Sequence, residues 1–425
     1  MRIPRTQLLE DLDNDSETVA MKILLVHAFY KNRGGEDAVV ENERVMLEDH
    51  GHRVETFFVQ NDEIDQYRTL DKALLIPRTI YNAKRANGLR KRLEAGFDIV
   101  HIHNIWPTIS PAVFFVLNER GQPYLQTIHN YRYIVPNAIL YKEDVLPDGT
   151  LRIEPRRRNN FRDSYLLTAT YWATSQIVRR LGVIDKGCGR LQLLNEFSRS
   201  IHAQRFNPEK LTVRGNFLPD RVVETMAAQP KADYYLYLGR LSEEKGVATL
   251  VDAFSRTETT AVLKIAGTGP IEQRLKQRCR GNPRIRFLGH IDGPRKVDLI
   301  ARAKALVVPS EWQEVYPVTI MEANFCSTPV IASRIGGLPD MVREQSTGLL
   351  FESGDPSSLY EALCWCENNL PELVEMGKRA RRFAQVRFSE STSYDKLMGV
   401  YKQIIRGSKR HANLNGAEPH PHSGQ

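Results

Sequence analysis

Short apolar runs alternate with helical segments along most of this 425-residue chain, and this alternation constrains its fold more than any other feature. Strands that alternate with helices form parallel sheets, because right-handed crossovers bring successive strands side by side. The pattern occurs twice, on either side of a proline-containing stretch at residues 216–232. The sequence therefore predicts an α/β protein with two Rossmann-like, doubly wound domains that face each other across a crevice.

The predicted boundaries follow the same pattern and leave a polar segment at each end, which is interpreted as disordered. They are a disordered extension at residues 1–20, a first domain at 21–215, a linker at 216–232, a second domain at 233–390, a C-terminal helix at 391–407 and a disordered tail at 408–425.

Strands are predicted where a short apolar run, often rich in β-branched or aromatic residues, precedes a turn. In the first domain these runs are residues 21–27, 52–59, 98–103, 124–129, 171–175 and 211–216. In the second domain they are residues 234–238, 261–266, 285–288, 305–308 and 329–332. A long loop is predicted at residues 131–162, which are rich in proline, asparagine, aspartate and arginine.

Composition narrows the class of protein. The hydrophobic content of 41% and charged content of 26% are typical of a globular protein. No apolar run approaches the roughly 20 residues that a membrane-spanning helix requires. Five scattered cysteines, in a chain without a signal-peptide pattern, indicate reduced thiols and a cytoplasmic protein. The net charge of +8 favours an anionic partner: a nucleotide, an acidic membrane surface or a nucleic acid.

The segment SEWQEVYPVTIMEA, residues 310–323, follows the strand predicted at residues 305–308 and contains Glu314 and Glu322. Pro317 suits the first position of a helix, because its missing N–H would have no intrahelical partner there. Glu314 then lies on the loop at the strand's carboxyl end, and Glu322 lies in the second helical turn. Ligands of open α/β sheets bind at this edge, and a helix N-terminus attracts phosphate. Carboxylates beside a phosphate site suit hydroxyl groups, so the segment indicates a nucleotide sugar.

A second motif, GRLSEEKG, follows directly after the first strand of the second domain, at residues 239–246. Arg240 offers a planar fork that suits phosphate oxygens, and Lys245 offers a mobile positive charge. Both side chains would lie at the carboxyl end of a strand and face the crevice. The plainer alternative is a charged surface turn.

These motifs and their order along residues 21–390 resemble those of the retaining glycosyltransferases of family 4, which have the GT-B fold. The resemblance implies that Arg240 and Lys245 bind the diphosphate of the donor. It also implies that Glu322 bonds the ribose hydroxyls, that Glu314 bonds the sugar, and that transfer retains the anomeric configuration. Since no carboxylate is placed as a convincing nucleophile, front-face transfer is expected.

Further candidate binding residues in the second domain come from the same resemblance. Gly267 and Gly269 lie in AGTGP, which resembles the family's A-G-x-G-P, and Leu288 lies in FLG, near the base in the family. Gly337 and Leu338 lie in GGLPD, in which Asp340 stands where the family usually has glutamate. An ordinary glycine turn is the alternative for AGTGP.

In the first domain, Gly34 and Gly35 resemble the family's double glycine, whose backbone approaches the donor closely. His129 ends a strand where the family often places a histidine near the transferred sugar, although a lone histidine is more often structural. His103 and Asn104 end the preceding strand, and either shape the acceptor side or provide a simple asparagine cap.

The strings GGEDAVV and TIHNYR narrow the resemblance to bacterial enzymes that build exopolysaccharide, capsule or lipopolysaccharide. The expected reaction moves a sugar from a nucleotide sugar to a saccharide or polyprenyl-linked acceptor. The alternative within the same fold is a nucleotide-sugar 2-epimerase, although such enzymes lack the combined R-x4-K and E-x7-E. Binding of nucleic acid is not expected, because the sequence contains no RNA-binding aromatic–glycine motif and no helix-turn-helix signature.

No metal or other cofactor is expected, because the Asp11-x-Asp13-x-Asp15 arrangement lies in the N-terminal extension and follows no strand. A membrane contact is expected instead. The segment KRANGLRKRL, residues 84–93, contains five basic residues, and another basic run lies at residues 156–158. Basic residues near an anionic bilayer contribute about 1 kcal/mol each, so the first domain is predicted to dock on the inner face of the membrane.

Overall fold

The computed structural model describes residues 20–415 except residues 32–33, 69–70, 72–73, 154–160 and 162–163, and it gives only the backbone of residues 409–415. The predicted extension up to residue 19, the basic run at 156–158 and the tail from residue 416 therefore lie outside the described residues.

The first domain is built on a six-stranded parallel sheet with the strand order β2-β1-β3-β4-β5-β6. Alternate residues of β1 enter two different apolar cores, because successive side chains of a strand point to opposite faces. Both faces of this sheet are thus covered, as expected for parallel strands. The strands are β1 (Lys22–Phe29), β2 (Arg53–Gln60), β3 (Ile99–Ile102), β4 (Tyr124–Ile128), β5 (Gly189–Leu193) and β6 (Leu211–Val213).

Helices connect these strands, and one of them corrects a prediction. The strand predicted at residues 171–175 is wrong, because these residues lie inside a helix whose buried positions, including Tyr171, Thr174 and Val178, recur at helical spacing. The helices are α1 (Gly35–Asp49), α2 (Leu75–Ile80), α3 (Ala83–Leu93), α4 (Ala112–Glu119), α5 (Tyr165–Arg180) and α6 (Glu196–Ala203), with 3-10 turns at Asn61–Gln66, Lys142–Asp144 and Pro208–Lys210.

The second domain is built on another six-stranded parallel sheet, with the order β12-β11-β10-β7-β8-β9. All five strands predicted for this domain are confirmed, and a sixth, at the sheet edge, was not predicted. The strands are β7 (Tyr234–Leu238), β8 (Val262–Ala266), β9 (Ile285–Gly289), β10 (Ala305–Val308), β11 (Val330–Ser333) and β12 (Gly348–Phe351).

Two helix ends in this half of the chain differ from expectation. Pro317 precedes its helix as the cap, and the first helical residue is Val318. The last helix continues to Asn415, well past the predicted end at residue 407. The helices are α7 (Asp220–Val223), α8 (Val247–Ser255), α9 (Glu272–Arg278), α10 (Gly293–Arg302), α11 (Val318–Phe325), α12 (Leu338–Met341), α13 (Pro356–Asn368), α14 (Leu370–Arg387) and α15 (Glu390–Asn415), with a 3-10 turn at Glu243–Lys245.

The final helix joins the two domains. Leu397 and Tyr401 of α15 are fully buried in one apolar core with Ile23 and Leu25 of β1. Within the described ranges, no helix combines the length and apolarity needed to cross a bilayer. Each of the five cysteines is free.

The strand orders determine where ligands can bind. The order reverses between β1 and β3 in the first sheet and between β7 and β10 in the second sheet. In open α/β sheets, the crevice outside the carboxyl ends of the strands at such a reversal is the usual binding site. The double glycine follows β1, His103 follows β3, Arg240 follows β7, and Glu314 lies on the loop after β10.

Candidate functional site

A cleft of about 350 Å³ lies between the two domains. Of the predicted site residues, Gly35 and His129 line it from the first domain, and Arg240 and Lys245 line it from the second. The first residues of α11 also line the cleft, so the N-terminus of that helix borders it. The two positive side chains and a helix N-terminus make this wall of the cleft favourable for an anion.

Arg240 lies on the turn directly after β7. Its backbone carbonyl accepts a hydrogen bond of 2.7 Å from the Tyr237 hydroxyl, which holds the turn in place. Its side chain is exposed and forms no ion pair with any residue that the structure describes. The guanidinium is therefore available for a ligand.

Lys245 is held by a buried carboxylate. Its Nζ donates to Glu314 Oε1 at 2.7 Å, and the Ser310 hydroxyl donates to the same oxygen at 2.7 Å. Glu314 is 4% exposed, whereas the Lys245 side chain is 26% exposed and lies 5.0 Å from the Trp312 ring centroid. Glu314 thus orients Lys245 toward the cleft, a contact that sequence reasoning did not predict.

Glu322 lines a separate cavity of about 490 Å³, which shares no lining residue with the cleft. Its Oε1 accepts a hydrogen bond of 2.5 Å from Lys296 Nζ on α10. Its Oε2 is buried and has no hydrogen-bond partner within the described part of the chain. A buried carboxylate oxygen without a donor is unfavourable, so this atom is ready to accept a hydrogen bond from a ligand.

The second-domain glycines mainly allow loops to pack. Gly246, with a φ of 64°, has no room for a Cβ, because that atom would lie 1.8 Å from the Pro309 carbonyl oxygen. At Gly267, with a φ of 141°, a Cβ would lie 1.8 Å from the Gly239 oxygen, and at Gly269 it would lie 2.2 Å from the Leu241 oxygen. These glycines therefore shape the loop that carries Arg240.

Three further predicted residues lie at different depths. Gly337 donates its N–H to the Glu314 carbonyl at 2.7 Å, which helps to place that loop. The Leu338 side chain is completely buried in the core, and Leu288 packs against the same core while partly exposed.

A Cβ at Gly34 would meet nothing within 4 Å, and one at Gly35 would lie 3.7 Å from Val318 Cγ2, so the double glycine leaves open space at the cleft.

His129 directly follows β4 and is partly buried beside another imidazole. Its Nε2 lies 3.0 Å from His103 Nδ1. Burial, with the neighbouring His103, holds the pKa of His129 well below its usual range. Burial and His101 lower the pKa of His103 to about 3. Both rings are therefore neutral at pH 7, and His129 can form hydrogen bonds in the cleft without bringing a charge.

Glu36 is a cleft residue that sequence reasoning missed. It lies in the first turn of α1 and lines both the main cleft and a small polar side cavity with His103, His129 and Arg132. Its Oε2 accepts a hydrogen bond of 2.9 Å from the Tyr30 hydroxyl. Burial raises the pKa of this carboxyl to about 7. An acidic residue in a first helical turn is too common to indicate such a position from sequence.

The loop that carries Glu314 is held in place by contacts with the first domain. Asn195 Nδ2 donates to the Val315 carbonyl at 2.5 Å, and Gln313 N–H donates to the Leu140 carbonyl at 2.7 Å. Tyr141 and Trp312 form an antiparallel bridge alongside. These contacts join residues far apart in the chain, so no local signal in the sequence indicates them.

One group of side chains in the described part of the chain has the composition of a metal site, namely Glu43, His101 and His103. It is buried beneath the cleft, and Arg214 forms an ion pair with Glu43. The positive guanidinium of Arg214 already pairs with the carboxylate that would bind the metal. It would repel a metal cation, because like charges in a buried site repel strongly. The group thus fits a metal ion poorly.

The basic segment at residues 84–93 coincides largely with α3. Its apolar residues Ala86, Leu89 and Leu93 face the core. Arg85 pairs with Glu63 at 2.6 Å, and Arg90 pairs with Glu119 at 2.9 Å, so the segment offers less free positive charge than its sequence suggests. Large exposed apolar side chains lie on and just after α5 instead, and they are Tyr165, Leu166, Trp172, Ile177 and Leu181.

Two doubly wound domains that face each other across a cleft are the arrangement of the GT-B fold. Residues 224–383 match the family model described as Glycosyl transferases group 1. This match places the second domain in that family, and the resemblance inferred from the motifs is confirmed at this level.

Individual comparisons agree with this class. D-inositol 3-phosphate glycosyltransferase 2 of Catenulispora acidiphila is 26% identical over 326 residues, which cover 73% of this chain and 71% of that protein. The structure is similar to sucrose-phosphate synthase from Thermosynechococcus elongatus, with a TM-score of 0.69 and 17% identity over 91% of this chain and 100% of that one. It is also similar to Anabaena HepE, solved with UDP, with a TM-score of 0.65 and 16% identity over 90% and 100% of the two chains.

Proposed function

We propose that this protein transfers a sugar from a nucleotide sugar to a saccharide or polyprenyl-linked acceptor, with retention and without a metal, in the synthesis of a bacterial surface polysaccharide. One observation carries the proposal: Arg240 and Lys245 line one wall of a cleft whose opposite wall is formed by Gly35, Glu36 and His129. The wall with the two positive side chains suits the diphosphate of a nucleotide sugar, and the opposite wall suits its sugar. HepE, which has the same fold, binds UDP.

The positively charged wall of the cleft stabilises the leaving group. As the anomeric C–O bond breaks, negative charge develops on the diphosphate, and Arg240, Lys245 and the N-terminus of α11 stabilise it. Glu314 keeps Lys245 in position through their 2.7 Å hydrogen bond. These fixed charges take the place of a metal ion, so none is required.

Glu322 and the first-domain wall account for the remaining contacts. The Oε2 of Glu322, which has no hydrogen-bond partner in the described ranges, is suited to a ribose hydroxyl. Glu36 is suited to an acceptor hydroxyl, because it lines the cleft on the side opposite the cations. Burial raises the pKa of Glu36 to about 7, so much of this carboxyl is protonated at neutral pH, and its Oε2 accepts a hydrogen bond from Tyr30. A protonated carboxyl does not attack the anomeric carbon, which favours front-face transfer with retention.

We also propose that the protein works in the cytoplasm at the inner face of the membrane, and that the exposed apolar face of α5 contributes to docking. Tyr165 is 79% exposed and Trp172 is 53% exposed, and the basic residues Arg179 and Arg180 end the same helix. Aromatic and basic side chains together suit the interface of an anionic bilayer. Sedimentation with anionic vesicles should pull down the wild type at low salt and much less of a Trp172→Ser, Leu166→Ser variant. Equal binding of both proteins would contradict this docking face.

The reaction itself is tested with a panel of nucleotide sugars, with and without a bacterial polyprenyl-phosphate-linked saccharide extract. The expected result is acceptor-dependent release of nucleoside diphosphate from one donor, with a product whose anomeric coupling in NMR matches that of the donor. Conversion of the donor into its 2-epimer without an acceptor would support the epimerase instead. An inverted product would refute retention.

A further inference from the structure

Three imidazole rings form a row from the interior to the cleft. His101 and His103 occupy alternate positions on β3 and just after it, so their side chains point to the same face of the sheet. The ring centroids of His101 and His103 are 4.4 Å apart, and those of His103 and His129 are 5.4 Å apart, with nearly parallel planes in both pairs. His101 and His103 are buried, whereas His129 borders the cleft.

A carboxylate lies at the inner end of the row. Glu43 of α1 is completely buried and forms an ion pair with Arg214. Burial alone would raise the pKa of Glu43, but Arg214 and His101 outweigh it and hold the pKa well below its usual range. Glu43 is therefore ionised at any pH near neutrality, and an ionised carboxylate only accepts hydrogen bonds.

This acceptor determines which nitrogens carry protons. His101 Nδ1 lies 2.7 Å from Glu43 Oε1, and its Nε2 lies 2.8 Å from the Thr127 hydroxyl. That hydroxyl already accepts an N–H from Gln192 at 2.9 Å, so it is free to donate to His101 Nε2. His101 Nδ1 also lies 2.7 Å from the Tyr401 hydroxyl, which can accept a hydrogen bond. The proton of His101 is then on Nδ1, where the nearby carboxylate and the Tyr401 hydroxyl both favour it.

The carboxylate of Glu43 also fixes the proton of His103. Its Nε2 lies 3.5 Å from Glu43 Oε1, which is long for a hydrogen bond, and it has no hydrogen-bond partner among the described residues. A lone pair there would face a carboxylate, so the proton belongs on Nε2. Nδ1 is then an acceptor, and it lies 3.0 Å from His129 Nε2, which must donate.

We infer that Glu43, acting through His103, is a positioning residue that fixes His129 as the Nε2–H tautomer and leaves His129 Nδ1 as a hydrogen-bond acceptor. An acceptor nitrogen suits a sugar hydroxyl that donates, and it rejects a ligand group that can only accept. The tautomer follows from the contacts alone, whereas its use toward a sugar hydroxyl rests on the proposed function.

A metal ion would reverse the arrangement. Glu43, His101 and His103 are all of metal-ligating types, and their ligand atoms lie within 4.8 Å of one another. To bind a metal, His103 would present an unprotonated Nε2 and carry its proton on Nδ1. It would then donate to His129 Nε2, and His129 would be the Nδ1–H tautomer. One measurement on His129 therefore separates the two arrangements.

The measurement is a two-bond ¹H–¹⁵N correlation spectrum of the full-length protein labelled with ¹⁵N-histidine, in which the His129 signals are assigned by their loss in His129→Gln. The inference predicts a protonated Nε2 and an unprotonated Nδ1 in the wild type. The opposite tautomer, or an equal mixture, would overturn it. One equivalent of zinc or another transition metal in the purified protein, by mass spectrometry, would also overturn it.

A matched pair of variants tests the role of Glu43. In Glu43→Gln, Arg214 holds the amide oxygen, so the amide N–H faces the rings and the row should reverse to give His129 Nδ1–H. Glu41→Gln on the same helix, where Glu41 is partly exposed and pairs with Arg44, should leave the tautomer unchanged. A folded Glu43→Gln protein with the wild-type tautomer would refute the inference. If that variant does not fold, the wild-type spectrum decides.

A wild type that shows the predicted tautomer yet transfers no sugar would refute the proposed function and leave this inference intact.

Discussion

Glu322→Ala should weaken nucleotide binding and leave catalysis at saturation nearly unchanged. The Oε2 atom of Glu322 is buried and has no hydrogen-bond partner among the residues that the structure describes, so a ribose hydroxyl would supply one. A hydrogen bond to a charged group contributes about 1.5–3 kcal/mol, which corresponds to a roughly 10- to 150-fold increase in Kd. The contact is present in the ground state and the transition state alike, so its loss should raise KM more than it lowers kcat.

Calorimetry with UDP, GDP and ADP identifies the nucleotide that binds the wild type, and the same titration is repeated on Glu322→Ala. Lys296 loses its partner, but its side chain is 27% exposed and reaches water, so the protein should remain folded. The matched control is Glu352→Ala, because Glu352 is 59% exposed and pairs only loosely with Arg334. An unchanged Kd in Glu322→Ala, or a large loss of kcat with unchanged affinity, would refute the ribose assignment.

Three other predictions concern the charges of the cleft. Arg240→Ala and Lys245→Ala should each lower kcat by about 100- to 1,000-fold with unchanged circular dichroism, as for a lost oxyanion donor, and near-normal turnover of both would contradict their role. Transfer should survive EDTA, and loss of activity that Mg²⁺ restores would show that a metal is needed. Because burial raises the pKa of Glu36 to about 7 in the folded state, the wild type should lose stability between about pH 5 and pH 7 as that carboxyl ionises. The free energy of unfolding of Glu36→Gln minus that of the wild type should therefore increase from pH 5 to pH 8. A difference that stays constant over this range would refute the raised pKa of Glu36.

The fold was largely predictable because parallel strands buried on both faces are continuous apolar runs. This signal was sufficient for β7 to β11, and it failed where tertiary contacts override it. In β5, the polar residue Gln192 is completely buried, because it hydrogen-bonds to Thr127 and Arg214, and the strand therefore lacks an apolar run. The opposite error occurred in α5, where aromatic and β-branched residues resembled a strand.

The site was predictable to the extent that its chemistry lies in local motifs. Arg240 and Lys245 follow one strand within a few residues, and the structure places both at the cleft. Pairings across the fold carry no such signal. The Lys296–Glu322 contact, the Lys245–Glu314 contact and the contact of Glu43 with His101 depend on elements that only folding brings together.

The central claim is that a nucleotide sugar binds between the domains through the cations after β7. Calorimetric titration of a nucleotide-sugar panel into the wild type and into an Arg240→Ala, Lys245→Ala double variant tests it most directly. We expect one nucleotide sugar to bind the wild type, and the double variant to bind it at least about 100-fold more weakly, since each lost charge-assisted contact contributes about 1.5–3 kcal/mol. Equal affinity in the two proteins, or no binding of any nucleotide sugar to the wild type, would contradict it.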